Sequence, residues 1–90
     1  MYRLFITKEF DSGLDKITNR DRISIEKKIA DYMAPQVKLE PHYGQNIKKL
    51  KGYTPETWRY RIGRYRLFYT INETESRVEF IAIDQRKDAY

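Results

Sequence analysis

The chain has 90 residues, a net charge of +5 and no cysteine. That length reads as one domain, residues 1–90, whose core buries roughly 60–65% of the unfolded surface. The missing thiols exclude disulfides and thiolate metal sites, and no apolar run approaches the ~18 residues of a membrane helix, which fits the cytoplasm.

Residues 2–7 read as a first strand, with Tyr2, Leu4 and Ile6 alternating with Arg3, Phe5 and Thr7. This opening is too short for a secretory signal. Phe10, Leu14 and Ile17 then recur at helical spacing. Thr7 is placed to cap that helix, and Glu9 and Asp11 suit its positive end. Gly13 inside it costs up to ~1 kcal/mol. Thr18-Asn19-Arg20 breaks the helix, with Asn19 the expected cap of a second one. There Ile25, Ile29, Tyr32 and Met33 form one buried stripe, and Pro35 is expected to stop the helix. Two short helices with a tight connection make an antiparallel hairpin that needs a sheet to cover.

Residues 35–57 are the least regular part, punctuated by Pro41, Gly44, Gly52 and Pro55. Ile47 and Leu50 pin the stretch to the core while Lys48, Lys49 and Lys51 stay wet. His42 reads as an ordinary loop histidine.

The centre of the chain is the run from Trp58 to Ile71. Two β-rich segments flank Gly63-Arg64, and a glycine first in a two-residue loop predicts a type II′ hairpin. That turn sets Ile62 opposite Tyr65, Arg61 opposite Arg66, Tyr60 opposite Leu67, Arg59 opposite Phe68 and Trp58 opposite Tyr69. Side chains alternate faces along a strand. Trp58, Tyr60, Ile62, Tyr65, Leu67 and Tyr69 therefore share an apolar face, and Arg59, Arg61, Arg66 and Phe68 share the other. Like charges directly opposite one another are destabilising, so Arg61 against Arg66 calls for an anion. After a polar turn at residues 72–76, residues 77–83 form a last strand, apolar on both faces and so expected inside the sheet. The order β-α-α-β-β-β predicts an α+β fold. A small, mostly antiparallel sheet is covered on one face by an N-terminal helical hairpin.

Several chemistries are absent from the sequence. There is no glycine-rich phosphate loop and no His-Glu-x-x-His, and one histidine without cysteine makes no tight metal site, so neither metal nor cofactor is expected. The positive charge is concentrated instead. Between residues 46 and 66 stand Lys48, Lys49, Lys51, Arg59, Arg61, Arg64 and Arg66, against Glu56 alone. Interleaved with Tyr and Trp, and followed by Phe68, this is the footprint of a polyanion partner, most often nucleic acid. Arginine binds phosphate bidentately, and several on one face can stabilise the charge of a pentavalent transition state. Arg86 and Tyr90, at the end of the chain, are placed to close over that face, Tyr90 by stacking a base.

The sequence resembles the RelE/ParE superfamily of type II toxin–antitoxin toxins. The resemblance rests on Leu50-Lys51-Gly52, on the run from Trp58 to Tyr69, and on Arg86-Lys87-Asp88-Ala89-Tyr90. It implies a RelE-like fold, a co-encoded antitoxin as partner, and no metal. The RelE branch cleaves mRNA in the ribosomal A site, with the RNA's own 2′-hydroxyl attacking the adjacent phosphorus. The family's catalytic positions then fall on Arg59, Arg61, Arg66, Arg86 and Tyr90, with Lys48, Lys49, Lys51 and Arg64 as RNA contacts. The ParE branch shares the fold, lacks that set and poisons DNA gyrase. The retained arginine and tyrosine of the tail favour the RelE branch. One departure matters: arginine stands at Arg59 and Arg61 where some RelE-like toxins carry lysine. Arginine is a poor proton acceptor at neutral pH. The general base is therefore open, with Lys49, Lys51 and His42 as candidates, or with charge stabilisation dominant and water taking the proton.

Overall fold

The computed structural model describes residues 1–85. Strand β1 (Arg3–Ile6) leads into α1 (Lys8–Asp15) and α2 (Asn19–Lys28). A π-helical turn (Ile29–Met33) then joins α2 to α3 (Ala34–Leu39). Four strands follow: β2 (Ile47–Lys49), β3 (Trp58–Ile62), β4 (Tyr65–Asn72) and β5 (Arg77–Gln85). The sheet order is β1-β5-β4-β3-β2, with β1 parallel to β5 and the other pairs antiparallel. The α+β architecture is as expected, with β2 as a short additional strand on one edge and β5 inside the sheet.

Thr7 caps α1 as the sequence indicated. Its hydroxyl accepts from the Phe10 N–H at 3.2 Å and donates to the Phe80 carbonyl at 3.0 Å, so one side chain starts the helix and fastens it to β5. Gly13 lies where α1 crosses β5. A Cβ there would meet Ile83 Cγ2 at 2.5 Å, so the glycine permits close approach, and its helix cost is offset by that contact. The second cap differs from expectation: Thr18, not Asn19, accepts from the Asp21 N–H, at 3.4 Å.

Pro35 does not end the helical segment. Ile25, Ile29, Met33 and Val37 recur every four residues, and in an ideal helix each such step over-rotates by about 40°. The π turn takes up one extra residue, with the Ala34 N–H bonded to the Ile29 carbonyl. That cancels most of the drift and leaves Met33 and Val37 buried on the sheet. Pro35 falls in the changeover back to α bonding, where its missing N–H is tolerated. The same adjustment turns Tyr32 outward. It is 67% exposed, not part of the buried stripe.

The core lies between this helical layer and one face of the sheet. Trp58, Tyr60, Ile62, Tyr65, Leu67 and Tyr69 all enter it, joined by Val78 and Phe80 of β5 and by Phe10, Leu14, Ile25, Met33 and Val37. The hairpin has the expected register throughout. Gly63 has φ +57, and Arg64 is not among the positive-φ residues, as a type II′ turn requires. Tyrosines tie down α3 and the loop that follows it. The Tyr69 hydroxyl donates to the Pro41 carbonyl at 2.7 Å and the Tyr60 hydroxyl to Gln36 Oε1 at 2.7 Å.

Strand β5 carries a bulge. Phe68 pairs with Ala82 and Tyr69 with Phe80, leaving Ile81 as the extra residue. A bulge reverses the alternation beyond it. Val78 and Phe80 face the helices before the bulge and Ile83 does so after it, against Gly13. Ala82 and Asp84 consequently turn to the open face.

Candidate functional site

The open face of the sheet is read row by row across the strands. One row runs Lys48, Arg59, Phe68, Ala82 from β2 to β5. The next, nearer the hairpin turn, runs Arg61, Arg66, Asp84. Among the described residues, four cations thus meet one carboxylate at this end of the face. At the other end Arg3, Phe5, Arg77 and Glu79 lie together, and Glu75 of the adjoining turn makes that patch charge-balanced. The Arg77 guanidinium sits 4.5 Å from the Phe5 ring centroid and bonds Glu75 at 3.1 Å, with Glu79 at 3.6 Å. The excess of positive charge therefore belongs to the hairpin end.

The apposed arginines are not left to an outside anion, as the sequence suggested. Arg66 Nη2 donates to Asp84 Oδ2 at 2.8 Å, and its guanidinium lies 5.8 Å from the Phe68 ring centroid. Arg66 Nε is buried without a hydrogen-bond partner among the described residues. Arg61 reaches forward to the hairpin turn and donates to the Gly63 carbonyl at 3.3 Å. The internal counter-charge is Asp84, a residue that sequence alternation puts on the wrong face. The bulge at Ile81 re-aims it, and no local pattern marks that bulge.

The expected site residues divide by position. Arg59, Arg61, Arg66 and Lys48 share the open face. Lys49 points to the opposite face with its cross-strand partner Trp58, over whose ring its ammonium lies at 5.7 Å, and it pairs with Glu56 at 2.6 Å. Lys51 is exposed in the turn after β2, and Arg64 is exposed at the hairpin tip beside α2. Arg86 and Tyr90 lie outside the described residues.

His42 is more than a loop histidine. Its Nδ1 meets Glu40 Oε2 at 2.7 Å and its Nε2 meets Glu73 Oε2, while the Tyr2 hydroxyl donates to Glu73 Oε1 at 2.7 Å. Both ring nitrogens face carboxylate oxygens, so the ring satisfies both only as imidazolium. Burial pulls the His42 pKa down, but hydrogen bonds and charge from Glu73 and Glu40 outweigh it, and the net shift is upward. Glu40 is lowered, first by the His42 backbone N–H and then by its ring. Glu73 is lowered by the Tyr2 hydroxyl and then by His42. That same bond to Glu73, with some burial, pushes Tyr2 up to about 12. The ring stands edge-on to Trp58, centroids 5.3 Å apart, on the helix side of the sheet. His42 is thus committed to holding the loop and does not face the arginines. Of the lysines in the 48–51 run, Lys48 is the one on their face.

Among the described residues no helix is long and apolar enough to cross a membrane, and no group of three or more His, Cys, Asp or Glu side chains is placed to hold a metal ion.

Comparison with known proteins agrees with this geometry. The archaeal RelE–RelB complex from Pyrococcus horikoshii OT3 contains a chain with TM-score 0.71 and 21% identity, covering 98% of each chain. The isolated E. coli RelE toxin gives TM-score 0.71 at 21% identity, over 99% of this chain and 88% of that one. The YoeB/ParE toxin from Agrobacterium tumefaciens gives TM-score 0.74 at 22% identity, over 97% and 100%. At these identities the likeness is one of fold. No curated protein matches in sequence. The model of the family described as ParE toxin of type II toxin–antitoxin system, parDE, matches residues 4–90. With nearly the whole chain matched, and with a basic open face backed by a helix-covered five-stranded sheet, the protein belongs to the ParE toxin family, within the RelE/ParE superfamily of type II toxin–antitoxin toxins.

Proposed function

We propose that this toxin is a ribosome-dependent mRNA endonuclease acting in the cytoplasm and neutralised by a cognate antitoxin. The observation that carries the reading is the convergence of Lys48, Arg59, Arg61 and Arg66 on one open sheet face. Arg61 and Arg66 lie on adjacent strands, roughly 5 Å apart in the pairing direction, a spacing that lets two guanidiniums grip one phosphodiester. Their charge is fixed in place before the substrate arrives, which favours a transition state more anionic than the ground state. Arg59 and Lys48 form a second positive row toward the next phosphate, and Phe68, across from Arg59 on β4, offers a ring for a base. Arg86 and Tyr90 enter this reading through the family resemblance. The reaction joins the 2′-oxygen to phosphorus and expels the 5′-oxygen, giving a cyclic or 3′-phosphate and a 5′-hydroxyl. The antitoxin partner is supported by neighbours solved as toxin–antitoxin complexes, and an acidic or amphipathic segment suits the face it would cover.

The test is brief expression followed by mapping of 5′ ends on translated message, for wild type, Arg61→Ala and Arg66→Ala. Cuts within codons, lost in both variants while the melting temperature holds, are the expected result. A second reading, a ParE-like gyrase poison, is favoured by the family whose model matches. It predicts intact message and accumulating DNA breaks, and that outcome would displace the endonuclease.

A further inference from the structure

The endonuclease reading leaves open which group accepts the proton of the attacking 2′-hydroxyl. Arginine does not release its own proton near neutrality and cannot take a second. His42 and Lys49 lie on the helix side, each already paired with carboxylates. We propose, resting on that reading, that Asp84 is the proton acceptor of the cleavage reaction.

Three observations on β5 and its neighbours place it there. Asp84 closes the row Arg61, Arg66, Asp84, so a phosphate held by the two arginines has a carboxylate beside it, roughly 5 Å across the sheet from Arg66. Its carboxylate is already at hydrogen-bond distance from Arg66, 2.8 Å, and yet 58% exposed, open to an incoming hydroxyl. And it faces the site only because of the Ile81 bulge. A strand without the bulge would point Asp84 at the helices. Bulges recur next to active sites as devices that re-aim one side chain.

The substrate itself readies the base. A phosphodiester entering between Arg61 and Arg66 competes for the guanidinium that Asp84 holds. As Arg66 turns to the phosphate, the carboxylate loses a cationic partner and gains an anionic neighbour. The oxygen that held Arg66 is then free to accept the hydrogen bond of the incoming 2′-hydroxyl. The proton of the 2′-hydroxyl passes to Asp84, and the electron pair left on that oxygen forms the new O–P bond. The P–O5′ bond breaks, and the departing 5′-oxygen takes a proton from water, with hydroxide as the other product. Asp84 then returns its proton to that hydroxide, so charge and protons balance over the turnover.

The experiment is single-turnover cleavage on ribosomes programmed with a defined message, across pH 5 to 9, with RNA binding and thermal melting measured beside it. Wild type, Asp84→Asn, Asp84→Glu and Arg61→Ala are compared. Asparagine keeps an oxygen for Arg66 but does not accept the proton. The expected result is a rate lower by about 10²–10⁴-fold in Asp84→Asn, with RNA bound at least as tightly and the acid limb of the pH profile gone. Asp84→Glu restores part of the rate together with the limb. Near-wild-type cleavage by Asp84→Asn with an unchanged profile would overturn the proposal, since Asp84 would then only orient Arg66. Faster cleavage would also overturn it, showing that the carboxylate merely competes with phosphate. So would a loss confined to binding. If Asp84→Asn melts early, the pH profile of Asp84→Glu decides: a limb unchanged in position counts against the base. Failure of the parent reading looks different, because wild type would then not cut and Arg61→Ala would have nothing to lose.

Discussion

Replacing His42 by phenylalanine tests whether the imidazolium holds the loop that precedes β2. The substitution keeps a ring edge-on to Trp58 and removes both bonds to Glu40 and Glu73. The His42 side chain is 24% exposed, so its two charge-assisted bonds together are worth about 1–2 kcal/mol after screening by solvent. For a domain of this size each kcal/mol moves the melting temperature by roughly 4–8 °C. His42→Phe should therefore melt about 5–15 °C below wild type at pH 6. The pH dependence follows from the direction of the shifts. The folded-state pKa of His42 is raised, so its contribution is fully present below the unfolded value, about 6.5, and fades as pH rises through the folded value. Glu40 and Glu73 are lowered, so their contribution is present above their ordinary value, about 4.3, and fades as pH falls through the folded one. The gap between wild type and variant should thus be widest near pH 5–6 and shrink on either side. Calorimetry or circular dichroism melts at pH 4, 6 and 9 measure it. A gap that is the same at pH 6 and pH 9 would refute a charged His42 clamp.

Gly13→Ala should lower stability by about 1–2 kcal/mol despite the better helix propensity, because the stiff Ile83 side chain stands 2.5 Å from the new methyl. Denaturant melts read this, and Gly13→Ala combined with Ile83→Val should recover part of the loss. Thr7→Val should cost about 1–2 kcal/mol, losing both the cap on Phe10 and the bond to the Phe80 carbonyl. Amide exchange should report that loss first in α1. Binding of single-stranded RNA should fall with salt with a log–log slope of about −3 if Lys48, Arg59, Arg61 and Arg66 all meet phosphate, and Lys48→Ala should reduce that slope by about 0.7. An unchanged slope in Lys48→Ala removes Lys48 from the RNA path.

What the sequence made legible and what it hid have physical causes. The β3–β4 register follows from two residues of loop and a glycine, both local. So does the face that Arg59, Arg61 and Arg66 share. Thr7 was legible as a cap because capping acts over three residues. Asp84 was not legible as a site residue. Its orientation depends on a bulge at Ile81, where the sequence carries no glycine or other local marker. The π turn was hidden for a similar reason. A stripe repeating every four residues fits an ordinary helix locally, and only the shared sheet surface forces the extra residue in. The His42 clamp joins a loop to a turn 31 positions away, beyond any periodicity.

The first strand and the last lie side by side. Arg3 pairs with Arg77, and Thr7 fastens to Phe80, 73 positions later. The β3–β4 hairpin can close from local contacts as soon as it is made, but β1 stays without its neighbour until β5 has been synthesised. Neither the floor beneath α1 nor the Asp84 end of the basic row exists before then. Completion of the open face is therefore timed by translation: the row Arg61, Arg66, Asp84 and the support of α1 come together only once β5 has emerged.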